Sequence, residues 1–215
     1  MKKFFVIGLG SFGFTVAVSL AAKGNEVIVI DISSGKIESI KKNVSDAVIA
    51  DSTKIEVLKK FAVHESDGVI VSIGSNLEAS IMTLHNLKKL GVTNIIAKAK
   101  SEEHYSILKL IGADRIIYPE KDEAVRLSNS LGSNNILEFF SISDELAIEE
   151  IKCPKKFFGK TIKELDLRNK YKILVIGIRS VKNNKVEAIP DPDMILQNGD
   201  AMYVFGERQK LQVLQ

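Results

Sequence analysis

Three glycines near the start of the chain, Gly8, Gly10 and Gly13, follow the apolar run Phe4-Phe5-Val6-Ile7 with the spacing G-x-G-x-x-G. Glycines so placed serve phosphate binding: the first allows a sharp turn, the second a close approach of backbone to phosphate, the third close packing of helix on strand. The amides around Ser11 and Phe12 then point at an anion from the positive end of a helix. A second apolar run, Glu26-Val27-Ile28-Val29-Ile30, delivers Asp31, with Ile32 beside it, about 20 residues past the glycines. An acid there accepts hydrogen bonds from ribose hydroxyls and repels a 2′-phosphate, which favours NAD(H) or an adenine nucleotide over NADP.

More polar corners fall where later strands should end. Residues 47–50 read as a third strand leading into Asp51-Ser52-Thr53, either an adenosine or ribose contact or the cap of a helix over 55–61. Residues 68–73 form a nearly continuous apolar run, as expected of a strand covered on both faces of a parallel sheet. In a doubly wound sheet the first and fourth strands flank the ligand cleft, so Ser72, Ile73 and Gly74 make its other wall. A fifth strand over 94–97 brings Lys98 to the same edge, either as a phosphate cation or as a solvated side chain.

The elements that must hold these residues follow a β-α rhythm. Amphipathic segments over 14–23, 34–42, 77–90 and 102–111 separate the apolar runs, and residues 112–119 supply a sixth strand. Pro119 opens a helix to about residue 131, with Glu120 and Asp122 in its first turn, where acids suit the helix dipole. The loop Gly132-Ser133-Asn134-Asn135 places a domain boundary between 133 and 134. Beyond it, short β-like runs at 137–142, 148–151, 173–178 and 202–205 alternate with turns at Asn183-Asn184, Pro190-Asp191-Pro192-Asp193 and Asn198-Gly199-Asp200. The fold class is α/β: a Rossmann-like doubly wound parallel sheet over 1–133 and a small α+β module over 134–215.

Composition narrows the function. In 215 residues, 45% hydrophobic, 30 basic and 27 acidic side chains are interspersed, with no long basic block, so nucleic acid is not an expected partner. Cys153 is the single cysteine, which excludes an intrachain disulfide and a cysteine metal cluster. No apolar run reaches the roughly 18 residues that span a bilayer, and the chain starts its first strand without a leader, so a cytoplasmic protein is expected, with any membrane role through a partner. The three histidines, His64, His85 and His104, fall away from the strand ends, and nothing resembles a metal pair, a nucleophile elbow or a P-loop lysine. Catalytic residues are therefore expected to be none, and binding without turnover is the simpler account. A small NAD-dependent oxidoreductase and a redox-sensing regulator remain as alternatives.

The glycines, Asp31, Asp51-Ser52-Thr53, Ser72-Ile73-Gly74-Ser75-Asn76, Ile111-Gly112-Ala113-Asp114 and Tyr118-Pro119-Glu120-Lys121-Asp122 together resemble the RCK family, whose closest branch is the cytosolic subunit of Ktr/Trk potassium uptake systems. The likeness continues through Gly159-Lys160-Thr161-Ile162, Leu165-Asp166-Leu167-Arg168 and Asn198-Gly199-Asp200. It implies a regulatory subunit whose homodimers assemble into a homo-octameric ring beneath a membrane channel subunit, peripheral on the inner face of the membrane. It implies ATP or ADP, or in the Trk branch NAD or NADH, in the glycine cleft, with ligand identity biasing ring shape. By position it makes Glu120 an acid that helps hold a cation, divalent or sodium, with ATP. Similar Ktr subunits carry arginine where this chain has Ser11, and a hydroxyl does not replace a guanidinium at a triphosphate, so discrimination of ATP from ADP is weaker here or rests on Lys98. The resemblance of the C-terminal module further implies cyclic di-AMP near Ile162, Arg168, Ile173 and Pro190.

Overall fold

The computed structural model describes residues 1–132, 135–143 and 145–214. Its contacts divide the chain into two compact units, Met1–Glu120 and Lys121–Gln215. The boundary expected between 133 and 134 lies outside the described residues.

In the first unit, β1 (Lys3–Ile7), β2 (Glu26–Asp31), β3 (Asp46–Ile49), β4 (Gly68–Val71), β5 (Ile95–Lys98) and β6 (Arg115–Ile117) form one sheet in the order β3-β2-β1-β4-β5-β6. All five pairings are parallel. Helices α1 (Ser11–Ala22), α2 (Ser34–Ile40), α3 (Ile55–Lys60), α4 (Leu77–Lys89) and α5 (Glu102–Ile111) make the crossovers, and α6 (Pro119–Leu131) follows the last strand. The central strands are apolar through their middles, over residues 4–7, 27–30 and 69–71, because each face meets a core. Phe5, Ile7, Ile28, Ile30, Val69 and Val71 pack with Leu84, Leu87 and Leu108 on one face. Val6, Val27 and Val29 pack with Ala17, Ile37 and Ile40 on the other. With Phe5 opposite both Ile28 and Val69, β1 is the middle strand, and the turn after it opens where the strand order reverses.

The helix ends show how locally the crossovers are specified. The Asn76 side chain accepts from the Ala79 amide at 3.0 Å to start α4, and Ser101 Oγ accepts from the His104 amide at 3.2 Å to start α5. Gly112, at φ +96°, ends α5 in the left-handed conformation that favours glycine. The helix start expected at Asp51-Ser52-Thr53 differs: the N-cap of α3 is Lys54, without a side-chain cap, because the Asp51 carboxylate closes its own turn on Thr53.

In the second unit, β7 (Ile136–Ser141), β8 (Leu146–Lys152), β9 (Leu174–Arg179), β10 (Val186–Ala188) and β11 (Ala201–Glu207) form an antiparallel sheet in the order β10-β9-β11-β8-β7. The core gathers Ile151, Ile173, Ile178, Met202 and Val204 with Leu165, Leu167 and Leu211 from the short helices α7 (Ile162–Leu165), α8 (Leu167–Tyr171) and α9 (Arg208–Leu211). A capping box starts α7: Thr161 Oγ1 accepts from the Glu164 amide at 3.1 Å and Glu164 Oε2 accepts from the Thr161 amide at 2.8 Å. Asp200, buried, accepts from the amides of Val181 at 3.0 Å and Gln197 at 2.8 Å, tying the turn that precedes β11.

Candidate functional site

The three glycines of the first loop do two different jobs. At Gly8, φ is +95° and a Cβ would lie 2.8 Å from the Ser72 carbonyl oxygen, so only glycine lets β1 and β4 approach there. At Gly13 a Cβ would lie 2.1 Å from the Gly8 carbonyl oxygen, which fixes α1 against its strand. At Gly10 a Cβ would meet nothing within 4 Å, so this residue faces open space. Gly10 is also the N-cap of α1 and brings no capping side chain, leaving first-turn amides to be satisfied from outside the helix.

That open space is a cavity of about 780 Å³ between the ends of β1 and β4, within the range of small-molecule sites. Gly8, Gly10, Ser11 and Phe12 border it from one wall, and Ser72, Ile73 and Gly74 from the other. Asp31, Ile32, Asp51, Ser52 and Lys98 border it as well, whereas Gly13 lies behind the loop and serves packing.

Asp31 builds the loop as well as facing the cavity. Its Oδ2 accepts from the Leu9 amide at 2.6 Å and its Oδ1 from the Ser33 amide at 2.8 Å, while Lys36 Nζ stands 3.7 Å from Oδ2. An ionised carboxylate has about four acceptor positions, so lone pairs remain for ribose hydroxyls. Asp51 Oδ1 accepts from Thr53 Oγ1 at 2.6 Å and the Thr53 amide at 3.0 Å, and the hydroxyl bond is the main reason its carboxyl sits below the usual range. Ser52 turns its hydroxyl inward, 2.8 Å from Thr83 Oγ1, and joins the α3 loop to α4. Ser72 differs: its hydroxyl is buried and has no hydrogen-bond partner, an unmet demand at the cavity wall.

Lys98, the last residue of β5, lies beneath the loop with its ammonium 5.8 Å from the centre of the Phe12 ring and 2.6 Å from Glu120 Oε1. That hydrogen bond is the leading cause of the depressed pKa of Glu120. Among the described residues no group of three or more metal-type side chains gathers at Glu120 or elsewhere. Sequence reasoning missed Lys36 and Met82, which also border the cavity. The signal for Lys36 was its place at the start of a helix just past Asp31; Met82 carries none, since its exposure on α4 is a tertiary property.

None of the three histidines borders the cavity. His104 is buried in α5, its Nδ1 accepting from the Lys100 amide at 3.2 Å, and burial lowers its pKa. In the second unit, Ile173 is fully buried, Pro190 is buried and Ile162 packs on the core, while Arg168 is exposed on α8.

A doubly wound Rossmann-like unit with an open glycine-loop cavity, followed by a small antiparallel module, is the class that fold and site define. The TrkA-N domain family matches residues 4–119 and the TrkA-C domain family residues 146–215. Ktr system potassium uptake protein C of Bacillus subtilis is 39% identical over 205 residues, covering 95% of this chain and 92% of the relative. Ktr system potassium uptake protein A of the same organism is 35% identical over 210 residues, covering 98% and 94%. The chain thus belongs to the TrkA-N/TrkA-C family that holds the Ktr potassium uptake proteins. Among solved structures, GsuK bound to ADP superposes with a TM-score of 0.53 at 26% identity, over 60% of this chain and 34% of that one. That alignment spans about a third of the GsuK chain. Among the described residues no helix is long and apolar enough to cross a membrane.

Proposed function

We propose that this chain is the nucleotide-binding regulatory subunit of a Ktr-type potassium uptake system, acting by ligand occupancy without turnover. The observation that carries the reading is the glycine-loop cavity itself. Gly10 leaves open space above a helix start without a capping side chain, and the buried Ser72 hydroxyl lacks a partner at the opposite wall. The names of the Ktr relatives and the ADP in the GsuK structure support the same assignment. An adenine nucleotide fits the residues present. The backbone of Gly10, Ser11 and Phe12 would take the phosphates, Asp31 the ribose, and Ile32, Ile73 and Gly74 the apolar and flat parts of the ligand, with Gly8, Asp51, Ser52 and Ser72 shaping the pocket.

ATP or ADP is favoured over NAD or NADH, with Lys98 as the phosphate cation. Any cation held with ATP through Glu120 would take its remaining ligands from the nucleotide or from a second copy of the chain. The partner in this reading is a Ktr or Trk membrane subunit. Homodimers assembling to an octameric ring would hold the chain at the inner face of the membrane. Cyclic di-AMP at the second unit is kept as a separate proposal, resting on Arg168 as an exposed basic residue of α8.

Calorimetry on the full chain with ATP, ADP, NAD and NADH tests the binding, and co-expression with a Ktr membrane subunit in a potassium-uptake-deficient bacterium tests the role. Micromolar binding of ATP or ADP and chain-dependent growth at low potassium are expected. Failure of every adenine nucleotide to bind, or steady nicotinamide turnover, overturns the reading.

A further inference from the structure

We propose that the Lys98–Glu120 ion pair is the relay of this site: a phosphate-bearing ligand competes with Glu120 for the Lys98 ammonium, and release of that carboxylate carries occupancy into α6. The inference rests on the nucleotide reading of the same cavity.

Two basic side chains border the cavity among the described residues, Lys36 and Lys98, and Lys36 stands beside Asp31. Lys98 is therefore the cation available on the loop side, its ammonium 5.8 Å from the Phe12 ring, and it already has an anion: Glu120 Oε1 at 2.6 Å. The two partners are unequally placed. The Lys98 side chain is 13% exposed and that of Glu120 63% exposed. A mostly buried ammonium requires a counter-anion, while an exposed carboxylate returns to water at little cost. A phosphate can thus replace Glu120 at Lys98, and its larger negative charge repels the carboxylate that remains nearby. Glu120 is in the first turn of α6 and is the last residue of the first unit, and the helix continues as the start of the second. A change in what holds Glu120 is therefore a change at the base of the segment joining the units.

The test titrates ADP, with adenosine as the phosphate-free control, into the full chain in potassium buffer containing a chelator. Wild type is compared with Glu120→Gln, Lys98→Gln and the double variant. Glu120→Gln should bind ADP about three- to tenfold more tightly and adenosine unchanged within about twofold. Lys98→Gln should weaken ADP about tenfold and cancel the gain in the double variant. Should Lys98→Gln fail to fold, Glu120→Ala must reproduce the Glu120→Gln gain. Amide exchange of α6 in ligand-free Glu120→Gln should match that of ADP-bound wild type. The relay is overturned if wild type binds ADP but Glu120→Gln binds it no better, if ADP and adenosine affinities change together, or if α6 exchange in the variant stays at the ligand-free level. If wild type binds no ADP, the nucleotide reading itself has failed.

Discussion

The first unit leaves a polar group over beside open space where its strands end; in the second, Arg208 Nε is also buried without a partner, but the polar groups at its turns and strand ends are spent on the protein itself. In the first, the Ser72 hydroxyl is buried without a partner and Gly10 faces open space. In the second, Asp200 holds two backbone amides of its own turn, Thr161 and Glu164 cap each other, and Arg179 pairs with the buried Glu150. Glycine divides the same way. Gly199, at φ +92°, makes a turn beside Val181, whereas the first loop holds glycines both for folding and for access. Unmet hydrogen-bonding demand beside open space, more than the presence of a motif, distinguishes a binding edge from a packed one.

Three alanine substitutions would break or sharpen this contrast. Gly13→Ala puts a methyl against the Gly8 carbonyl oxygen, backbone that cannot swing aside, and should cost about 3 kcal/mol or more in thermal unfolding. Gly10→Ala should leave the melting temperature nearly unchanged yet weaken ADP about tenfold or more in calorimetry, because its methyl occupies space meant for phosphate. Gly199→Ala should cost about 1 to 2 kcal/mol through its left-handed backbone and leave ADP affinity intact. Equal ADP losses in all three would mean that global destabilisation, not access, governs binding.

Much of this edge was legible beforehand, because a parallel strand, its glycines and its acid all sit within one β-α-β stretch. Gly8, Gly10, Ser11, Phe12, Asp31 and Ile32 border the cavity, and Ser72, Ile73 and Gly74 face them because the strand order reverses there. Pairings between distant segments were not legible. Nothing in the spacing of Lys98 and Glu120 shows that their side chains meet, and nothing at Ser52 shows a hydroxyl turned to Thr83. The strand β10 escaped notice for another reason: Val186, Glu187 and Ala188 are all exposed at the sheet edge, so no buried face imposes an alternating pattern. Asp51 offered two roles, ligand or cap, and its turn on Thr53 shows a third that leaves it at the cavity.

Asp31 tests whether loop building and ligand binding can be separated. Asp31→Ala removes the acceptor of the buried Leu9 amide and of the Ser33 amide, at a cost of about 2 kcal/mol. Measured well below the lowered melting temperature, its ADP affinity should still fall at least about tenfold, since the ribose acceptor has gone with the carboxylate. An unchanged affinity in the folded variant would leave Asp31 as a loop brace alone.

The smallest expected effect is a pH response of the first unit's packing. His104 is buried with Nδ1 accepting from the Lys100 amide, and burial holds its pKa below the ordinary value near 6.5. The folded state therefore binds fewer protons than the unfolded chain as pH falls through and below that value. The corresponding stability is complete at higher pH and is lost as pH falls towards the depressed folded pKa. Wild type should lose melting temperature between about pH 7 and 5.5, and His104→Gln, which keeps an acceptor but does not titrate, should flatten that slope. An identical slope in the variant would show that protonation of His104 does not couple to folding in this range.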